Sequence, residues 1–168
     1  MSSTIKIIIA GPRDFNNQSF IFSALDMVFS RLIKSPKENN NTLEINDLGN
    51  IEFVEGGATG IDSLAKSYAI SKNIKYKEFP ADWNKHGRAA GPIRNKQMAE
   101  YSDILIAFRY VDNPSRGTEN MIRQAKENNL KIIMVNIRPT IPKNKEIKKK
   151  KAGVEKWAQY QNKISSKS

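Results

Sequence analysis

The stretch Ile51-Glu-Phe-Val-Glu-Gly-Gly-Ala-Thr-Gly-Ile-Asp62 decides the reading of this chain. Ile51 to Val54 is a short apolar run, Gly56 to Gly60 is a turn rich in glycine, and from Ile61 to Ser71 apolar residues return at helical spacing through Leu64, Ala65, Tyr68 and Ala69. The order is strand, glycine loop, helix. The same unit extends on both sides. Ile5 to Ala10 reads as a strand that ends at Gly11-Pro12, and Gln18 to Ile33 reads as a helix stopped by Ser35-Pro36 and an Asn-rich stretch. Downstream, strands are expected at Ile74–Phe79, Ile104–Phe108 and Lys131–Ile137, with helices at Ile93–Tyr101 and Glu119–Asn128. Five strands alternating with four helices predict an α/β, Rossmann-like fold: a mainly parallel five-stranded sheet with helices on both faces.

Composition narrows the class. The 168 residues suit one domain with an appendage; 39% are hydrophobic and 27% charged, which excludes a wholly disordered chain. No apolar run approaches the roughly 20 residues of a membrane span, and the first ten residues lack the features of a secretory signal, so a cytoplasmic protein without membrane contact is expected. With no cysteine and a single histidine, neither a disulfide framework nor a Cys or His metal site is expected. No cofactor is expected either.

The net charge of +11 is unevenly placed. Residues 138–168 hold ten of the 28 basic residues and two of the 17 acidic ones, leaving a nearly neutral body of 18 against 15 over residues 1–137. We therefore divide the chain into a ligand-binding body, 1–137, and a Lys-rich C-terminal appendage, 138–168, with Lys148 to Lys151 at its centre. The appendage reads as a solvated tail or as a source of salt-sensitive affinity for nucleic acid.

In open parallel sheets ligands bind beyond the carboxyl ends of the strands, and seven of the nine glycines fall between a strand and the following helix. The loop Gly56-Gly57-Ala58-Thr59-Gly60 reads as a phosphate cradle or as a plain tight turn; its spacing is neither that of a dinucleotide fingerprint nor of a P-loop. Asp62, in the first turn of the next helix, suits the helix dipole or ligand hydroxyls. Ser115-Arg116-Gly117-Thr118 is a second anion-binding candidate at a helix start, with Thr118 able to cap that helix or to donate to a phosphate. Arg94 and Arg13 stand at the same end of the sheet as anion clamps or as surface arginines. Trp83, in the long Pro80–Pro92 connection, is a stacking platform for a base or a scaffold residue; His86 is a candidate general base or an inert exposed histidine.

Five strings taken together resemble the SLOG superfamily. It is the Rossmann-like group that includes the LOG nucleotide phosphoribohydrolases and the DNA-processing protein A family, and the likeness is to its YspA/YpsA-related branch. The strings are Gly11-Pro-Arg-Asp-Phe15, Gly56-Gly-Ala-Thr-Gly-Ile-Asp62, Pro80-Ala-Asp-Trp83, Ala90-Gly-Pro-Ile-Arg-Asn95, and Arg116-Gly-Thr118 with Met121 and Ala125. The resemblance spans about residues 4–137 and implies a nucleotide or nucleotide-derived ligand, ADP-ribose-like signalling molecules included. LOG enzymes pair an arginine with a glutamate three positions after the Gly-Thr of the later phosphate motif. Arg94 matches the arginine and is the candidate catalytic residue, but the acid's position is Met121, and Glu119 lies about 200° from it around the helix.

Three functions follow: capture or sensing of a nucleotide-derived signalling molecule, first; a phosphoribohydrolase-like N-glycosidase, second; and a protein that binds single-stranded DNA, third. For the first, the expected ligand-binding residues are Gly11, Arg13, Gly56, Gly57, Thr59, Gly60, Asp62, Trp83, Arg94, Ser115, Arg116, Gly117 and Thr118. A homodimer or higher homo-oligomer is expected because Phe20, Ile21, Phe22, Leu25, Met27, Val28, Phe29, Leu32 and Ile33 spread apolar surface around the first helix.

Overall fold

The computed structural model describes residues 4–33 and 50–138. The elements, in chain order, are β1 (Ile5–Ala10), α1 (Gln18–Ile33), β2 (Ile51–Glu55), α2 (Ile61–Ser71), β3 (Lys75–Glu78), α3 (Trp83–His86), a 3-10 turn (Gly87–Ala89), α4 (Ala90–Tyr101), β4 (Ile104–Tyr110), α5 (Arg116–Glu127) and β5 (Lys131–Ile137). All five strands are parallel, in the order β3-β2-β1-β4-β5. From β1 the chain builds outward to β2 and β3, then returns to the other side of β1 for β4 and β5. The crevice beyond the carboxyl ends of β1 and β4 is thus the topological switch point where such sheets bind ligands.

The central strands alternate their apolar residues between two cores. On one face, Ile7, Ile9, Phe53, Ile106 and Phe108 meet Ile21, Leu25 and Phe29 of α1 and Ala65, Tyr68 and Ala69 of α2. Phe29, Phe53 and Tyr68 stack there with centroids 5.7–6.3 Å apart, and the Tyr68 hydroxyl donates to Asp26 at 2.7 Å. Burying such a side chain stabilises the fold by roughly 1.5–3 kcal/mol. On the other face Ile8, Val54, Leu105 and Ala107 meet Met98 and Ala99 of α4 and Met121, Ile122 and Ala125 of α5. The edge strand β3 is exposed along its whole length and carries Lys75 and Lys77, charges that discourage a further strand from pairing there.

Three boundaries differ from the sequence expectation by two residues or more, each for a local reason. Helix α4 begins at Ala90 rather than Ile93, because Pro92 stands in the first turn, where a missing N–H costs nothing. Helix α5 begins at Arg116 with Ser115 as its cap, the Ser115 hydroxyl accepting the Thr118 N–H at 3.2 Å, so Thr118 is held inside the turn instead of capping it. Strand β4 runs on through Arg109 and Tyr110, which pair with Asn136 and Ile137 of β5 beyond the apolar run. The long connection at 80–92 contains α3 and the 3-10 turn, with Asp82 accepting the Lys85 N–H at 3.0 Å.

Within α1, Ile21, Leu25 and Phe29 are buried and Phe22, Val28 and Leu32 pack against the same core, while Phe20 and Met27 remain exposed. Much of the apolar surface expected to face a second copy is therefore used inside the chain. The Lys-rich run and the Asn-rich stretch lie outside the described residues. Among the described residues no helix is long and apolar enough to cross a membrane.

Candidate functional site

Two chambers open at the carboxyl end of the sheet. The larger, about 530 Å³, lies at the switch point between the ends of β1 and β4; the smaller, about 350 Å³, lies outside the Gly56–Thr59 turn. Arg13, Ala58 and Arg94 line both.

The glycine loop differs from an open phosphate cradle, because its amides already hold carboxylates of the chain itself. Asp62 Oδ2 accepts the Gly56 N–H at 3.1 Å and the Ala58 N–H at 3.4 Å, and Glu55 Oε2 accepts the Gly57 N–H at 2.6 Å. Burial raises the pKa of Asp62, with the Arg94 charge the strongest opposing influence. Glu55 is 1% exposed, and its Oε1 has no hydrogen-bond partner among the described residues. Burial pushes its carboxyl up to about 7, the Gly57 amide opposing and the charges of Glu78 and Asp62 adding to the rise.

Arg94, 7% exposed, is fixed on two sides. Its Nη1 donates to the Gly56 carbonyl and its Nε to Asn95 Oδ1 at 3.0 Å; a Cβ on Gly56 would overlap the guanidinium. Burial lowers the Arg94 pKa, the Asp62 carboxylate opposing. Asn95 in turn donates to the Gly117 carbonyl at 3.3 Å and to Asn120 Oδ1 at 2.9 Å, so one amide braces the buried arginine against the start of α5.

Gly60, at φ 74°, is where the β1 loop crosses the glycine loop. A Cβ there would strike the backbone of Pro12 and Arg13, while the Ile61 N–H donates to the Pro12 carbonyl at 3.2 Å and the Thr59 hydroxyl to the Arg13 carbonyl at 3.1 Å. Arg13 is thereby carried to the rim of both chambers, its guanidinium 5.7 Å from the centre of the Trp83 ring.

The larger chamber brings together Gly11, Arg13, Asp62 and Arg94 with Ser115, Gly117 and Thr118. The smaller takes Gly56, Gly57, Thr59 and Trp83. Gly60 and Arg116 line neither chamber: Gly60 serves the crossing, and Arg116 is exposed at the first position of α5. His86 is exposed and also lines neither. Sequence reasoning did not select Asn95, Glu55 or Glu78 as site residues, although Asn95 stands beside Arg94 and Glu55 beside the glycines.

Met121, at 1% exposure, contributes to the lining of the larger chamber. Glu119 is held elsewhere by Arg109, with Nε to Oε1 at 2.5 Å. Among the described residues no three His, Asp or Glu side chains group to hold a metal ion.

Residues 42–86 match the model of the YspA, cpYpsA-related SLOG family, a segment that contains the glycine loop, Glu78 and Trp83. In three dimensions the chain is similar to DNA processing protein A from Streptococcus pneumoniae, with a TM-score of 0.57 over 82% of this chain at 16% identity. The two share an α/β, Rossmann-like fold. This chain spans about half of that structure, 52% of its length. It is also 26% identical over 140 residues to the gene 61 protein of Mycobacterium phage D29, a match covering 80% of this chain and 98% of the phage protein.

Proposed function

We propose that this SLOG domain binds a nucleotide or nucleotide-derived signalling molecule, of the ADP-ribose-like or cyclic nucleotide class, in the switch-point crevice and holds it for sequestration or sensing. The observation that carries this is the composition of the larger chamber: Arg13 and Arg94, Ser115 and Thr118, and Gly117 in the first turn of α5 line one cavity together with Asp62. First-turn amides lack partners within their own helix and suit a phosphate. A carboxylate suits ribose hydroxyls. Because Asp62 and Glu55 take the amides of Gly56, Gly57 and Ala58, the phosphate belongs at the start of α5 and the loop serves as a wall.

Capture is preferred to turnover because Met121 neither ionises nor accepts a proton at the position where LOG enzymes place their acid. The SLOG match and the fold also accommodate a DNA-related role, in which the Lys-rich 138–168 appendage contributes affinity for nucleic acid. A thermal-shift screen of ADP-ribose, NAD, nucleoside monophosphates, cyclic nucleotides and oligo-dT separates these readings, since a ligand of the native state raises the melting temperature by mass action. Stabilisation by a small nucleotide and not by oligo-dT is the expected result. Stabilisation by oligo-dT alone contradicts it.

A further inference from the structure

We propose that the smaller chamber is a base subsite selective for guanine, read by Glu78 and stacked on Trp83. This rests on the nucleotide reading of the larger chamber, and within it favours guanine nucleotides over the adenine-bearing ADP-ribose class.

The donors and acceptors left on the chamber wall carry the inference. The N–H groups of Gly56 and Ala58 are bonded to Asp62 and that of Gly57 to Glu55; the Thr59 hydroxyl donates to the Arg13 carbonyl, and Arg94 Nη1 holds the Gly56 carbonyl. The amides of Gly56, Gly57 and Ala58 are therefore spent. Among the residues lining the chamber the carboxylate is that of Glu78, an acceptor with room for more than one hydrogen bond per oxygen. Its Oε2 takes Lys66 at 3.1 Å, which steadies it, and its Oε1 lies against Gly57, where a Cβ would stand only 2.6 Å from that oxygen, so a side chain at position 57 would displace the carboxylate.

A phosphate directly against Glu78 would meet a like charge, so that carboxylate suits an uncharged group with N–H donors. Trp83 provides its platform. The ring is 49% exposed, its tip stands close to Gly91, and Pro80 and Ala81 supply further apolar wall. Flat π-faces stack on such a ring whatever the base, so selectivity must come from the edge. Uracil offers one N–H between two carbonyls that a carboxylate repels. Adenine and cytosine each offer an amino group beside a ring-nitrogen lone pair. Guanine offers its N1–H and N2 amino group side by side, two parallel donors that match the two oxygens of a carboxylate. Arg13 and Arg94, shared by both chambers, connect this edge to the phosphate side of the ligand.

The test is calorimetric titration of the full chain with GMP, IMP, AMP and UMP, with ribose 5-phosphate as the base-free reference. GMP should bind at least tenfold more tightly than IMP, which lacks only the N2 amino group, and Glu78→Gln should reduce that ratio to under threefold. In a Trp157→Phe background GMP should quench the emission of Trp83, and Trp83→Ala should weaken GMP toward ribose 5-phosphate. Equal affinity for all four nucleotides, or a GMP preference unchanged by Glu78→Gln, overturns the guanine subsite while leaving the nucleotide reading in place. If neither these nucleotides, ribose 5-phosphate nor ADP-ribose binds, the nucleotide reading fails and the subsite fails with it.

Discussion

Asp62 Oδ2 accepts the backbone N–H of Gly56 at 3.1 Å, so the turn that resembles an open phosphate cradle is closed by a carboxylate from the helix it precedes. Replacing Asp62 by alanine leaves the amides of Gly56 and Ala58 unpaired and removes the strongest charge opposing the desolvation of Arg94. A loss of about 2–4 kcal/mol is expected, the cost of an unsatisfied buried donor and an uncompensated buried cation together. Asp62→Asn, which keeps an acceptor, should lose less. Urea denaturation of the two variants beside the wild type checks the order.

Glu55 sets a pH dependence of stability. Its carboxyl is raised from 4.5 to about 7 in the folded chain, so between those values the native state holds a proton that the unfolded state has released. Stability supplied by that proton is complete below about pH 4.5 and is lost as pH rises through about 7, with a total of about 3 kcal/mol. Glu55→Gln mimics the neutral form. The variant should match the wild type near pH 5 and exceed it at pH 8, and melting curves at the two pH values check it. Equal differences at both pH values contradict the assignment.

Arg94 and Arg116 looked equivalent as anion contacts, and their surroundings separate them. Arg94 is buried at the junction of both chambers, while Arg116 is exposed and lines neither. For a nucleotide found by the thermal-shift screen, Arg94→Ala should weaken binding by roughly tenfold to over a hundredfold, as expected for a charge-assisted contact worth about 1.5–3 kcal/mol. Arg116→Ala should change it by less than about threefold, under 1 kcal/mol. Titration of both variants decides.

At Gly60 the φ of 74° and the backbone of Pro12 and Arg13 leave no place for a side chain. Gly60→Ala should destabilise the fold by more than about 2 kcal/mol, since it adds strain to a steric conflict with backbone. The same change should displace Arg13 and weaken nucleotide binding in the fraction that folds. Chemical denaturation and titration, run on one preparation, read both effects.

Apolar periodicity carried most of the architecture. Ile5–Ala10, Gln18–Ile33, Ile61–Ser71 and Lys131–Ile137 have the bounds expected of them, because each run is closed by glycine, proline or polar residues that end the pattern. Elements ending in polar residues were less visible: Arg109 and Tyr110 belong to β4 through pairing with β5, which no local pattern reports. The site divides in the same way. Glycines and arginines at strand ends could be found by position, and eleven of the thirteen expected ligand residues line one chamber or the other. What position could not show was pairing across distance. Asn95 reaches from α4 to Gly117 and Asn120, and Glu78 comes beside Gly57 through the register of β2 with β3; both depend on packing of elements far apart in the chain.

Capture of an intact nucleotide at the switch point is tested most directly by loading and release. The wild type and Arg94→Ala are incubated with ADP-ribose, NAD, GMP and cyclic nucleotides, freed of unbound ligand, denatured, and the released material separated by chromatography. The wild type is expected to release an intact nucleotide at up to one equivalent per chain, and Arg94→Ala to release little. Retention of nothing by the wild type, or multiple-turnover appearance of free base or phosphoribose in its incubation mixture, contradicts the account.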